Sequence, residues 1–234
     1  MDFIVLNAIL FLGVIPALVF LFIGLKGYEG HYKDKTIFLT FVVGIAIGTI
    51  GAIVLFFTFG GFEGIVLFII LLAFFDQLIK TIVLNIGRFQ KKKETCIYGL
   101  SLGLGFGSAF TPATITVMIS NEITDTHTLT LLAIGTFGII LFHGATGAYI
   151  GYGVYIGRLT KYLFTAIMVE IPFNFIMSML LIYSNPLSSN IQIGFVIGTI
   201  IFGIVIFFYV VRNIMPRILP QSGRRKRLKK RNST

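Results

Sequence analysis

The sequence predicts an all-α, polytopic membrane protein with seven transmembrane helices, the N-terminus outside and the C-terminus in the cytoplasm. Composition, run length and charge placement carry that expectation. The 234 residues are 56% hydrophobic and 12% charged, with a mean hydropathy of +0.95. An ordinary soluble domain and a disordered chain are both excluded by those values. The apolar runs reach the roughly 20 residues that cross a ~30 Å hydrocarbon core as a helix. They do not alternate with period two, so transmembrane β-strands are excluded. The single Cys96 rules out an internal disulfide and a thiolate metal site.

Taken in order, the apolar runs place spans at residues 3–25, 36–59, 61–86, 95–120, 128–150, 162–183 and 191–211. Met1-Asp2-Phe3 has no basic region, and the first run is too long for a signal-peptide core, so it is read as a permanent span. A Gly-Gly turn at Gly60-Gly61 separates the second and third spans, and the fifth has room to continue to Ile156. Residues 1–213 form the membrane domain and 214–234 a basic tail.

The cations set orientation. Lys26, Lys33 and Lys35 follow the first span; Arg88, Lys91, Lys92 and Lys93 follow the third; Arg158 and Lys161 follow the fifth. The tail holds Arg212, Arg217, Arg224, Arg225, Lys226, Arg227, Lys229, Lys230 and Arg231. These alternating segments contain 18 of the 19 Lys and Arg residues, and Lys80 is the exception. The opposite side carries only Asp2, Glu63, Glu122 and Asp125. An excess of Lys and Arg marks the cytoplasmic side. The tail is then a contact for anionic lipid headgroups. Nucleic acid is not an expected partner, because no stacking aromatics interrupt the basic run.

Within the fourth span Gly99, Gly103 and Gly107 recur every four residues, and Gly44, Gly48 and Ala52 do the same in the second. Such small-residue ridges let helix backbones approach closely. Pro112 and Pro172 fall inside spans and are expected to kink them, because neither can donate to the preceding turn.

The third span contains Asp76, Gln77 and Lys80, with Asp76 and Lys80 four residues apart on one helical face. Charged side chains in hydrocarbon cost roughly 2.5–3.5 kcal/mol each on insertion scales. They need partners at the same depth, and His143, Glu170 and Asn174 are the candidates on the fifth and sixth spans. Asp76, His143 and Glu170 have the ligand types of a three-ligand zinc site. They lack the local spacing of a His-Glu-x-x-His helix. Three readings stand: a paired network of Lys80 with Asp76 and His143 with Glu170, a metal site, or a proton or ion path.

Several stretches resemble the PrsW-type intramembrane metalloproteases. They are Ile15-Pro16-Ala17, Tyr28-Glu29-Gly30-His31-Tyr32, Asp76-Gln77-Leu78-Ile79-Lys80, Tyr98 to Phe106, His143-Gly144-Ala145-Thr146, and Glu170-Ile171-Pro172-Phe173-Asn174. The family pattern implies paired glutamates where Asp76 and Gln77 stand, a further acid at Phe110, and a histidine at Glu170. Only Lys80, His143 and Asn174 match it. In such proteases a glutamate activates a metal-bound water, and Gln77 cannot act as a base. The chain also resembles the non-catalytic Aph-type scaffold subunit of gamma-secretase, which shares the Gly-x-x-x-Gly-x-x-x-Gly fourth helix of Gly99, Gly103 and Gly107.

The resemblance implies a PrsW/Aph-like protein that is degenerate as a protease and works as a scaffold for other transmembrane helices. No catalytic residue is assigned; Asp76, Gln77 and Lys80 are the candidates. No cofactor is expected. The alternative is an active metalloprotease with zinc on Asp76, His143 and Glu170, and an ion or proton pathway is the third class. The expected location is the plasma membrane of a prokaryote.

Overall fold

A computed structural model describes residues 3–59, 65–120, 126–182 and 189–220. The described residues form α1 (Phe3–Leu25), α2 (Asp34–Phe59), α3 (Ile65–Leu84), α4 (Thr95–Ser120), α5 (Thr126–Tyr155), α6 (Leu159–Ile182) and α7 (Ser189–Tyr209). The chain then continues as a π-helical turn, Val210–Ile214, and a 3₁₀ turn, Met215–Ile218. Five of the helices are long and apolar enough to cross a membrane. The Gly60-Gly61 turn, the acidic residues Asp2, Glu63, Glu122 and Asp125, and residues 221–234 lie outside the described residues.

Apolar surface remains on the outside. Phe22 is 74% exposed and Phe38 70%. Helices that are apolar on buried and outward faces alike are compatible with a chain that crosses a membrane several times.

The bundle is built around α4. Residues 95–110 are all buried. α2 packs on one side of this helix and α5 on the other, α1 touches both α4 and α5, and α7 packs on α5. α3 lies against α6 and also touches α2, α4 and α5. The glycines explain how α4 accepts so many neighbours. A Cβ on Gly99 would overlap the carbonyl oxygen of Gly147, and one on Gly103 the carbonyl oxygen of His143. On Gly107 it would stand 2.8 Å from Ile140 Cα. The opposite face meets α2, where a Cβ on Gly44 or Gly48 would overlap the carbonyl oxygen of Leu102 or Phe106. Van der Waals packing of this kind holds helices together when lipid supplies no hydrophobic contrast.

The ends of the helices follow local rules. α5 closes with Gly157 at φ +70. Arg158 N–H donates to Gly153 O at 2.9 Å and Gly157 N–H to Val154 O at 3.3 Å. That is a Schellman cap, which needs a left-handed residue. Pro112 and Pro172 lie inside α4 and α6 as expected, and Pro16 is a further one, inside α1. Ile214, Met215 and Ile218, assigned to the tail from sequence, are buried in the main hydrophobic cluster.

Candidate functional site: a buried polar cluster between α3, α5 and α6

α3 carries three polar side chains into the bundle. Asp76 is 1% exposed, and Gln77 and Lys80 are fully buried. They share the interior because α3 is enclosed over more than one face, by α6 on one side and by α2, α4 and α5 on the others. α5 supplies His143 and Thr146, one turn apart, and α6 supplies Glu170 and Asn174, also one turn apart; all four are buried.

Lys80 reaches across to α5. Its Nζ lies 3.0 Å from His143 Nδ1 and donates to Thr146 Oγ1 at 3.1 Å. An ammonium has no acceptor, so with Lys80 charged Nδ1 accepts and the proton of a neutral imidazole sits on Nε2. Thr146 Oγ1 in turn donates to His143 O at 3.2 Å. The Asp76 and Glu170 carboxylates act on Lys80 through their fields. The pairing expected from the i, i+4 spacing of Asp76 and Lys80 therefore gives way, in the ammonium's short contacts, to a link between helices.

Glu170 is held from α3. Gln77 Nε2 donates a short hydrogen bond to Glu170 Oε2. The expected contact between His143 and Glu170 has Nδ1 and Oε1 3.8 Å apart, an ion-pair distance longer than a hydrogen bond. Gln77, a catalytic candidate by position although it cannot act as a base, is a hydrogen-bond donor to Glu170 in the structure. Thr146 was passed over as a partner, although its place three residues after His143 puts both on one helix face.

Rings close the cluster. Phe106 lies edge-on to the His143 imidazole with centroids 4.8 Å apart, and Phe110 stacks on it at 5.3 Å. Lys80 Nζ stands 4.9 Å from the centroid of Phe106, within range of a cation–π interaction. Phe142 and Phe173 stack at 4.1 Å and join α5 to α6 beside the site. Where the resemblance calls for an acid at position 110, this chain has a ring against the histidine.

Asp76, His143 and Glu170 each offer a ligand atom, and these lie within 4.8 Å of one another. The zinc ion implied by the protease resemblance does not fit them as arranged. Zinc binds imidazole nitrogen at about 2.0–2.1 Å. The nitrogen that faces Glu170 is Nδ1, and the Lys80 ammonium already meets it at 3.0 Å. An ion bound there would compete with Lys80 Nζ for the same nitrogen. The cluster is instead rich in acceptors. Among the described residues Asp76 Oδ1, Gln77 Oε1 and Glu170 Oε1 have no hydrogen-bond partner, and Asn174 Nδ2 is a donor without one. Buried acceptors in excess of donors make a resident cation valuable, and Lys80 is that cation.

No family model, no curated protein and no solved structure matches this chain.

Proposed function

We propose that this protein is a non-catalytic, PrsW/Aph-like membrane scaffold that spans the bilayer seven times, with the basic ends of its helices in the cytoplasm. In this reading the polar cluster is a structural lock and not a reaction centre. The observation that carries it is the position of the Lys80 ammonium, 3.0 Å from the imidazole nitrogen that faces Glu170. A built-in cation there does for the charge balance what a metal does in an enzyme. Gln77 supports the same reading, because it gives Glu170 a neutral donor and offers no base. Removing one partner of such a network leaves a buried charge uncompensated, so the lock fixes the relative positions of α3, α5 and α6.

The partners that fit are other transmembrane helices, which would meet the apolar outer faces of the bundle. The basic tail would contact anionic headgroups, and the location that suits the chain is a prokaryotic plasma membrane.

The test is metal analysis of the purified full-length protein, together with an assay for cleavage of helical substrates in liposomes. We expect less than stoichiometric metal and no cleavage. One zinc per chain, lost together with proteolysis in Glu170→Gln, would replace the scaffold with the enzyme.

A further inference from the structure

A cavity of about 150 Å³ lies beside the polar cluster, bounded by α5, α6 and α7. Thr146 and Tyr149 of α5 line it, with Ala166 and Val169 of α6 and Ile206 and Tyr209 of α7. Most of that lining is apolar. Tyr209 is 52% exposed, so one wall of the cavity reaches the outer surface of the bundle. The π-helical turn begins at Val210, directly after this wall. Such turns widen a helix and often accompany functional sites.

The end of the cavity nearest the helix termini is cationic. Tyr149 packs on Tyr162 with ring centroids 4.6 Å apart, and Tyr162 sits in the fields of Arg217 and Arg158. Thr165, also on the cavity wall, donates to Lys161 O at 2.9 Å. Arg158, Lys161 and Arg217 are all exposed. Arg217 Nε is held on Asn213 O at 2.8 Å. Over residues 126–220 Glu170 is the sole acidic residue, and it is fully buried in the polar cluster. Nothing acidic in α5, α6 or α7 therefore neutralises these cations.

Charge decides between occupants, because the cations beside the apolar groove call for an anionic group. Apolar walls below a group of cations at the interface match a lipid with an acidic headgroup.

We propose that the cleft between α6 and α7 is a binding site for an anionic phospholipid, with one acyl chain against Ala166, Val169 and Ile206 and the phosphate among Arg158, Lys161 and Arg217. Of the segment read as the basic tail this site uses Arg217 alone and none of residues 221–234. It rests on the membrane reading above and is independent of whether the polar cluster is catalytic.

The chain contains no tryptophan, so a single introduced one reports on its own surroundings. Tyr209→Trp places the reporter on the cleft. Phe74→Trp places it on α3, where Phe74 is 50% exposed and away from the basic segments. Each variant is reconstituted in phosphatidylcholine vesicles containing increasing fractions of brominated phosphatidylglycerol, whose bromines quench indole fluorescence. The preference for phosphatidylglycerol at Tyr209→Trp is expected to exceed that at Phe74→Trp by about fivefold or more, the effect of one interfacial cation. Adding Arg158→Ser with Arg217→Ser should bring it down to the Phe74→Trp level. Ala166→Phe, which fills the cleft, should reduce quenching at Tyr209→Trp. Equal preferences at the two reporters would overturn the proposal. So would a preference that survives the double arginine change, which lies at the surface and decides the matter if Ala166→Phe does not fold. Absence of quenching at Phe74→Trp would overturn the membrane reading, and the lipid site with it.

Discussion

Lys80 Nζ lies 3.0 Å from His143 Nδ1, so the one Lys or Arg outside the basic segments is bonded to α5 and bridges two helices. The carboxylate four residues earlier on its own helix, Asp76, has no hydrogen-bond partner for Oδ1 among the described residues. A 3.7 Å separation between Asp76 Oδ1 and the place a Cβ would take on Gly51 shows that this oxygen is turned towards α2.

Lys80 and the carboxylates should therefore respond as a unit. Lys80→Met leaves Asp76 and Glu170 buried without a facing cation, at a cost of about 3–5 kcal/mol. Combining it with Asp76→Asn removes one of the stranded charges and should recover part of that loss. Unfolding in mixed detergent micelles measures both. Equal stability of the single and double variants would show that the charges are not coupled.

Glu170 has one bonded oxygen and one facing the imidazole. Gln77→Leu removes the donor to Oε2, and we expect a loss of about 1–3 kcal/mol, the cost of leaving a buried acceptor unpaired. Glu170→Gln keeps an acceptor and should be tolerated better than Glu170→Leu. The same unfolding experiment ranks the three. A Gln77→Leu protein as stable as the parent would remove Gln77 from the network.

The approach of α4 to α5 is sensitive to a single methyl group. Gly103→Ala puts a Cβ onto the His143 carbonyl oxygen. Overpacking of this kind costs about 1–3 kcal/mol, and here it also displaces the helix segment that carries His143. Gly194→Ala is the control, since none of the described residues comes within 4 Å of a Cβ there. It should be neutral, or more stable by up to about 1 kcal/mol through helix propensity. Similar losses in the two variants would mean that α4 and α5 do not meet along the glycines.

Orientation is open to chemical labelling. Cys96 is buried, so new cysteines can be read separately from it. Gln90 and Asn190 are both exposed and lie at opposite ends of spans. Asn190→Cys should react with an impermeant maleimide added outside intact cells, and Gln90→Cys only after the membrane is opened. Reaction of Gln90→Cys from outside would reverse the assigned topology.

The helices were legible in the sequence because their causes are local. The apolar runs at residues 3–25 and 95–120 coincide with α1 and α4, since a long apolar run bounded by turn and charged residues carries its helix signal locally. The polar positions on α3, α5 and α6 were legible for the same reason: each is conspicuous within its own run. The partners within the cluster were not. Successive helix residues point about 100° apart, so Asp76 and Gln77 are directed towards different neighbours, and nothing in a linear pattern says which.

Only the tertiary structure decided that Gln77 meets Glu170 and that Lys80 meets His143 and Thr146. Those choices depend on how far α5 can advance towards α4, which the absent side chains of Gly99 and Gly103 govern. The sequence by itself determined which residues must be buried together. Backbone proximity determined which atoms bond, because a hydrogen bond is made or lost within a few tenths of an ångström.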